Sequence, residues 1–219
     1  GALTLLLAML HELPQAVRVL RAGGRGIDLA RQGTLQGLAV GVYGCGVIGR
    51  WFLELLAPFD ARVRVFDPSA VDLPSPIDRA RSLEDLCTWS EALVIHAGWS
   101  EETDRSVRAE HLALLPDHGI VINTARGGVI DQEALFDEID SGRLRAGLDV
   151  LEPDELAPDH PLRDRDGLLY TSHLITNTEW PARPGLEDKQ QRVLHQLQRL
   201  ADGEPLRDLF DLDRYDRST

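Results

Sequence analysis

Residues 44–49 read GCGVIG, three glycines spaced G-x-G-x-x-G, and their flanks constrain the fold more than the glycines do. The apolar run Leu38 to Tyr43 ends at the first glycine, and the helical pattern VIGRWFLELLAPF begins at Val47. A glycine loop so placed ties a strand to a helix. Gly44 allows the tight turn, Gly46 lets the backbone approach a pyrophosphate, and Gly49 lets helix pack closely on strand. Free N–H groups around Val47 and Ile48, together with the helix dipole, would receive the anion. Eighteen residues after Gly49, the strand-like run Arg62 to Phe66 ends in Asp67. A carboxylate there can accept hydrogen bonds from an adenosine ribose and would repel a 2′-phosphate, so the unit predicts a site for NAD rather than NADP.

Past this unit, short apolar runs keep alternating with helical patterns. Ala92 to His96, Gly119 to Thr124, Ala146 to Val150 and Gly167 to Thr171 are strand-like in length and β-branched content. SLEDLCTWS, AEHLALLP and DQEALFDEIDSGRL read as helices among them. Strand and helix taking turns predicts an α/β fold: a Rossmann-type doubly wound parallel sheet with helices on both faces. Upstream, GALTLLLAML and HELPQAVRVLRAGG suggest a helix interrupted near Pro14 and stopped by Gly23 and Gly24. No basic segment precedes this start and no small-residue cleavage site follows, so it does not read as a signal peptide. It is also too short to span a bilayer. Because the chain opens on Gly1, it is read as starting partway through a longer protein. The expected organisation is a leading helix and linker at 1–34, a dinucleotide-binding domain at 35–182, and a C-terminal helix and tail at 183–219. That last helix spaces Val193, Leu197, Leu200 and Ala201 along one stripe.

Charge narrows the partners. The net charge is −13 and Lys189 is the single lysine, so no basic stripe exists to neutralise a phosphate backbone, and nucleic acid is not expected. No membrane partner is expected either. Cys45 and Cys87 have neither disulfide-framework nor metal-ligand spacing, which points to a reducing, cytoplasmic setting without a metal.

The stretch NTARGGVID, from Asn123 to Asp131, raises a chemical question. A cation at the end of an apolar strand is costly without a partner, and glycine pairs are poor packing material. Ligands in doubly wound sheets sit beyond the carboxyl ends of the strands, which would put Arg126 at the cofactor crevice. A planar guanidinium fork matches a carboxylate, so a small carboxylic or 2-oxo acid would answer the question. Taken alone, Arg126 reads better as half of a salt bridge, given 36 acidic residues. Two further strand ends supply company. One run ends in Asp149 and continues to Glu152, Asp154 and Glu155, and another is followed by His173. A histidine beside a carboxylate is held in one tautomer with its pKa raised, making a proton donor near neutral pH. His96, also at a strand end, suits a cofactor-lining or structural role, and the other histidines receive no assignment.

With these residues in place, the pattern resembles the D-isomer-specific 2-hydroxyacid dehydrogenase family. GVYGCGVIGRWFLELLAPFDARVRVFDP, the run from LVIHAGWSEET through INTARGGVID to LDVLEPDELAPDHPL, and YTSHL resemble its signatures in order and spacing over nearly the whole chain. The resemblance implies a nicotinamide-binding domain in which Arg126 binds the substrate carboxylate and carbonyl oxygen, His173 is the acid/base, and Asp154 is its partner. It also implies that Asp149, the Thr124 to Arg126 backbone through Ala125, His96 and Ala97 line the nicotinamide end. Asp154 stands where the family usually has glutamate, leaving Glu152 and Glu155 as substitutes. LITNTEWPARPG, with Trp180 and two prolines, departs from the small residues usual after the histidine, and Ala97 and Gly98 replace a valine-proline pair. The family's N-terminal substrate domain has no counterpart here, and its cofactor domains form a twofold dimer around the first long helix, which implies a homodimer. The same fold serves C-terminal-binding-protein corepressors, so a dimerising NAD-sensing module is the alternative to an enzyme. A fragment that binds NAD without turnover is a third reading.

Overall fold

The structure, a computed structural model, describes residues 1–26, 31–70, 72–74, 76–175 and 189–206. Among the described residues the strands are β1 (Ala39–Tyr43), β2 (Arg62–Phe66), β3 (Asp78–Arg79), β4 (Ala92–Ile95), β5 (Ile120–Asn123), β6 (Arg145–Leu148) and β7 (Leu168–Tyr170). All are parallel, in the order β3-β2-β1-β4-β5-β6-β7. β3 was not anticipated, because two charged residues carry no apolar signal. Every residue of β1, β4, β5 and β6 is buried, as expected for central strands covered on both faces.

The helices are α1 (Ala2–Leu10), α2 (Leu13–Arg21), α3 (Val47–Leu56), α4 (Leu83–Trp89), α5 (Ala109–Leu112), α6 (Gln132–Asp140) and α7 (Lys189–Ala201). Two apolar clusters sandwich the sheet. One gathers Leu86, Leu112, Leu135 and Ile139 from α4, α5 and α6, and the other gathers Leu5, Leu6, Met9, Phe52 and Leu56 from α1 and α3. Leu5, Leu6 and Met9 are wholly buried on β5 and β6, each contributing about 1.5–3 kcal/mol. The topology is thus the doubly wound Rossmann-type α/β sheet that the alternating pattern predicts.

Several boundaries differ from the sequence pattern, each for a local reason. The break in the leading helix falls at His11 and Glu12 rather than at Pro14, because proline is tolerated in the first turn of α2. Glu12 takes a left-handed conformation (φ 52°), and its buried carboxylate is paired with the Arg145 guanidinium, which also donates to the carbonyl of Met9 at 2.9 Å. α5 stops at Leu112: the amides of Leu114 and Leu115 reach back only three residues, tightening the chain ahead of Pro116. α6 is capped by Asp131, whose carboxylate accepts from the amide of Ala134, and the chain turns away at Gly142 (φ +77°). α2 buries no residue, and Val193, Leu197 and Leu200 on α7 stand exposed. The segment 176–188, with Trp180, and the tail 207–219 lie outside the described residues. No single helix among the described residues is long and apolar enough to cross a membrane.

Candidate active site

Strand register collects the residues singled out above on one edge of the sheet. Tyr43, Ile95, Asn123 and Leu148 are aligned strand to strand, with Phe66 beside Tyr43 and Tyr170 beside Leu148. The residues that follow them, Gly44, His96, Thr124, Asp149, Asp67 and Thr171, therefore leave the sheet side by side. The order of strand addition reverses at β1, with β2 and β3 laid down on one side and β4 onward on the other, and the glycine loop sits at that switch point.

The three loop glycines do different work. A Cβ on Gly44 (φ +93°) would lie 2.4 Å from the amide nitrogen of Ala97, and one on Gly49 would lie 2.5 Å from the carbonyl oxygen of Gly44. Both are demanded by the chain's own packing. A Cβ on Gly46, in contrast, meets nothing within 4 Å. Gly46 is the N-cap of α3 without any side-chain cap, so the first-turn amides beside exposed Val47 and Ile48 are open to an anion. This cradle fits the pyrophosphate of a dinucleotide.

Asp67 is no idle acceptor awaiting a ribose. One carboxylate oxygen accepts from the amide of Cys45 at 2.6 Å, and the other from the amides of Ser69 and Ala70 at 2.8 and 2.9 Å. It joins the glycine loop to the turn after β2 while retaining lone-pair capacity for a ribose hydroxyl. Arg79 donates to the carbonyls of Asp67 and Ala70 at 2.7 and 2.6 Å, so its guanidinium is committed to the same turn. His96 packs its ring on Phe52 with centroids 4.9 Å apart, and its Nε2 is buried with no hydrogen-bond partner. Burial pushes this imidazole down to about 4, which keeps it neutral.

Beyond β5, Asn123 holds the loop through Thr124, Ala125 and Arg126. Its Oδ1 accepts from the amide of Ala125 at 3.0 Å, and its Nδ2 donates to the carbonyl of Arg126 at 2.9 Å. The glycine pair that follows is explained by close packing: a Cβ on Gly127 would lie 2.2 Å from the carbonyl carbon of Leu151, and one on Gly128 would lie 2.4 Å from Oε2 of Glu152. The Arg126 guanidinium is exposed and donates to the carbonyl of Ala125 at 2.7 Å. Among the described residues no carboxylate pairs with it, so the salt-bridge reading is not met.

The structure brings His173 to Asp154, with Nδ1 to Oδ2 at 3.3 Å. The shorter acid reaches because its loop is held: the Leu151 amide donates to Oδ1 at 3.3 Å and the Tyr170 hydroxyl donates to the Asp154 carbonyl at 2.5 Å. The main chain of Glu152 is bonded at both N and O to the Gln132 side-chain amide, at 2.8 and 3.1 Å, and its Oε2 lies beside Gly128. Asp149, 1% exposed, accepts through Oδ1 from the Thr171 hydroxyl and the Ile175 amide, and its carbonyl accepts from the His173 amide at 2.6 Å. It therefore supports the histidine turn, a contact that sequence reasoning did not include. Ser172 and His173 both take left-handed φ values, 50° and 59°.

Residues 3–174 match the family model described as D-isomer specific 2-hydroxyacid dehydrogenase, NAD binding domain. The chain belongs to this family. Among its relatives, D-3-phosphoglycerate dehydrogenase of Methanocaldococcus jannaschii is 30% identical over 80% of this chain and 34% of its own length. Hydroxypyruvate reductase of Thermotoga maritima is 31% identical over 85% of this chain and 62% of its own length. The chain thus spans between a third and two thirds of these two relatives. Among solved structures, a D-isomer specific 2-hydroxyacid dehydrogenase from Xanthobacter autotrophicus in complex with NADPH and MES superposes with a TM-score of 0.78 at 27% identity, covering 97% of this chain and 86% of the other. The TT0316 protein of Thermus thermophilus gives a TM-score of 0.79 at 29% identity, covering 94% and 65%.

Asn123 was overlooked as a site residue. Its signal was present: an amide closing an apolar strand just before a turn is the residue type that bonds the backbone two positions on.

Proposed function

We propose that the complete protein is an NAD-dependent oxidoreductase acting on the CH–OH group of a small D-2-hydroxy acid and its 2-oxo counterpart. The observation that carries this is the His173–Asp154 pair at 3.3 Å, on the same sheet edge as an Arg126 guanidinium that has no carboxylate partner among the described residues. Gly46 and the first-turn amides of Val47 and Ile48 hold the pyrophosphate between Gly44 and Gly49, and Asp67 takes the ribose. His96, Ala97, Thr124, Ala125 and Asp149 line the nicotinamide end. When bound, the nicotinamide supplies or accepts the hydride at its C4.

Arg126 binds the substrate carboxylate and polarises the 2-oxo carbonyl. In the reducing direction His173 gives a proton to the forming alkoxide, and in the oxidising direction it takes that proton back. Asp154 on Nδ1 fixes the tautomer that leaves Nε2 for this transfer and stabilises the imidazolium. Small 2-hydroxy or 2-oxo acids are the chemistry shared by the relatives' names, and those names give no support to the corepressor alternative.

The substrate's side chain would be read by a further domain of the complete protein. The 1–34 segment and the 183–219 segment would lead from and towards it, and exposed Leu13, Val17 and Leu20 on α2 and Leu197 on α7 would meet it. A homodimer belongs to the same proposal. Because α1 buries Leu5, Leu6 and Met9 within its own chain, the twofold contact is assigned to the exposed ridge of Trp51 and Leu55 on the neighbouring α3. The two free, buried cysteines fit a cytoplasmic setting.

The test is to measure oxidation of NADH and NADPH by the full-length protein against a panel including glyoxylate, hydroxypyruvate and larger 2-oxo acids. Turnover with at least one acid and a preference for NADH are expected. No turnover with any acid would overturn the enzyme, and a preference for NADPH would overturn the role given to Asp67.

A further inference from the structure

We propose that Asn123 is the positioning residue for Arg126, and that its rung to Asp149 sets Arg126 and His173 in a common frame. The inference rests on the reading of Arg126 as the substrate's carboxylate ligand. Asn123 is the last residue of β5 and has no exposed surface, so its amide must find its partners inside the protein. Both are on the loop that carries Arg126: the Ala125 amide donates to Oδ1 at 3.0 Å, and Nδ2 donates to the Arg126 carbonyl at 2.9 Å. One side chain thus grips the loop on either side of a single peptide unit. The Arg126 guanidinium is itself turned back on this loop, donating to the Ala125 carbonyl at 2.7 Å. With no carboxylate among the described residues to hold it, the guanidinium takes its place from the loop, and the loop takes its place from Asn123.

The same residue connects to the histidine. The Asn123 carbonyl accepts from the Asp149 amide at 2.9 Å, and the Asp149 carbonyl accepts from the His173 amide at 2.6 Å. Side chains repeat the pattern one strand over, where the Asp149 carboxylate accepts from the Thr171 hydroxyl and the Ile175 amide around two left-handed residues. A continuous hydrogen-bonded path therefore runs from Ala125 and Arg126 through Asn123 and Asp149 to His173. Its two buried side-chain clamps sit at the carboxyl ends of adjacent strands, where loss of a partner leaves a backbone group unsatisfied. Asn123 touches no reacting atom and acts through Arg126.

The experiment is a double-mutant cycle in the full-length protein with NADH and the best 2-oxo acid. Asn123→Leu removes both bonds at similar volume, and Asn123→Asp keeps the acceptor for Ala125 while setting an anionic oxygen against the Arg126 carbonyl. A misplacement of about 1 Å costs on the order of 100-fold. Asn123→Leu should therefore lower kcat/KM by about that factor, largely through the KM for the 2-oxo acid, with Asn123→Asp between it and wild type. In an Arg126→Ala background, Asn123→Leu should have no further effect on kcat/KM. An equal loss in both backgrounds, or an unchanged kcat/KM in Asn123→Leu, overturns the proposal.

A wild-type protein without turnover refutes the reading of Arg126 but leaves the brace itself testable. The readout is then amide hydrogen exchange in the 219-residue chain. Asn123→Asp and Asn123→Leu should leave Val121 protected in β5, and Asn123→Leu should release Ala125. Unchanged protection of Ala125 in Asn123→Leu would show that no such brace exists.

Discussion

Replacing Gly46 with alanine should separate what the glycine loop does for the fold from what it does for the cofactor. The backbone at Gly46, φ −69° and ψ −161°, is open to any residue, and a Cβ there meets nothing within 4 Å. Alanine is a poorer N-cap than glycine by about 0.5–1 kcal/mol, and the stiffer unfolded chain returns about 0.4–1 kcal/mol. The net change in stability should stay within about 0.5 kcal/mol. Binding should respond differently, because the methyl group projects into the space where phosphate oxygens would approach backbone amides at about 2.9 Å. Pushing them back loses one charge-assisted hydrogen bond of about 1.5–3 kcal/mol, roughly a 10- to 100-fold weaker NADH complex. Gly44→Ala is the comparator. With φ +93° and a Cβ 2.4 Å from the Ala97 amide nitrogen, it should destabilise the fold outright. NADH fluorescence titration and urea denaturation of each variant read both quantities. If Gly46→Ala binds NADH as wild type does, the pyrophosphate does not sit there. If it loses as much stability as Gly44→Ala, the open space is not open.

Three other outcomes follow from the same geometry. His173→Ala in the full-length protein should cut kcat by about 10²- to 10⁴-fold with NADH affinity intact, and Asp154→Asn should cut it by less; turnover within tenfold of wild type in His173→Ala would remove it as the proton donor. Because burial holds His96 down to about 4, below its ordinary value of 6.5, the unfolded chain takes up a proton that the folded one refuses, and stability should fall as pH drops from 6.5 towards 4. The loss approaches about 3 kcal/mol. Urea midpoints at pH 7 and pH 4.5 should converge in His96→Gln, and an equal acid loss in that variant would refute the assignment. Trp51→Glu should shift the full-length protein from dimer to monomer in sedimentation velocity, and an unchanged dimer would place the twofold contact elsewhere.

What could be read in advance tracks how local the signals are. Strands β1, β4, β5 and β6 announce themselves as apolar runs, because central parallel strands are buried on both faces, whereas β2 (RVRVF) is read from its alternation and β7 from a short apolar run at the sheet edge. β3, reduced to Asp78 and Arg79, has no such signature and exists through its pairing with β2. The glycine loop is legible for the same local reason, although only the packing shows that Gly44 and Gly49 serve the chain while Gly46 faces open space. Arg126 could be suspected from its place at a strand end, and the glycines after it needed the close approach of Leu151 and Glu152 to make sense. Which acid meets His173 depends on Tyr170 and Leu151 holding a loop, a tertiary matter that spacing does not encode. Asn123 and the second role of Asp149 were missed because a polar residue ending a strand looks like the start of a loop until its partners are known.

On the proposed function, this sheet edge directs a hydride to the 2-carbon of a small acid. The full-length protein should be given NADH deuterated at the transferable C4 position, together with the 2-oxo acid it reduces fastest, and the product examined by NMR and chiral chromatography. Deuterium is expected on C2 of a D-2-hydroxy acid. An L-product, or a product carrying no deuterium at C2, would contradict it.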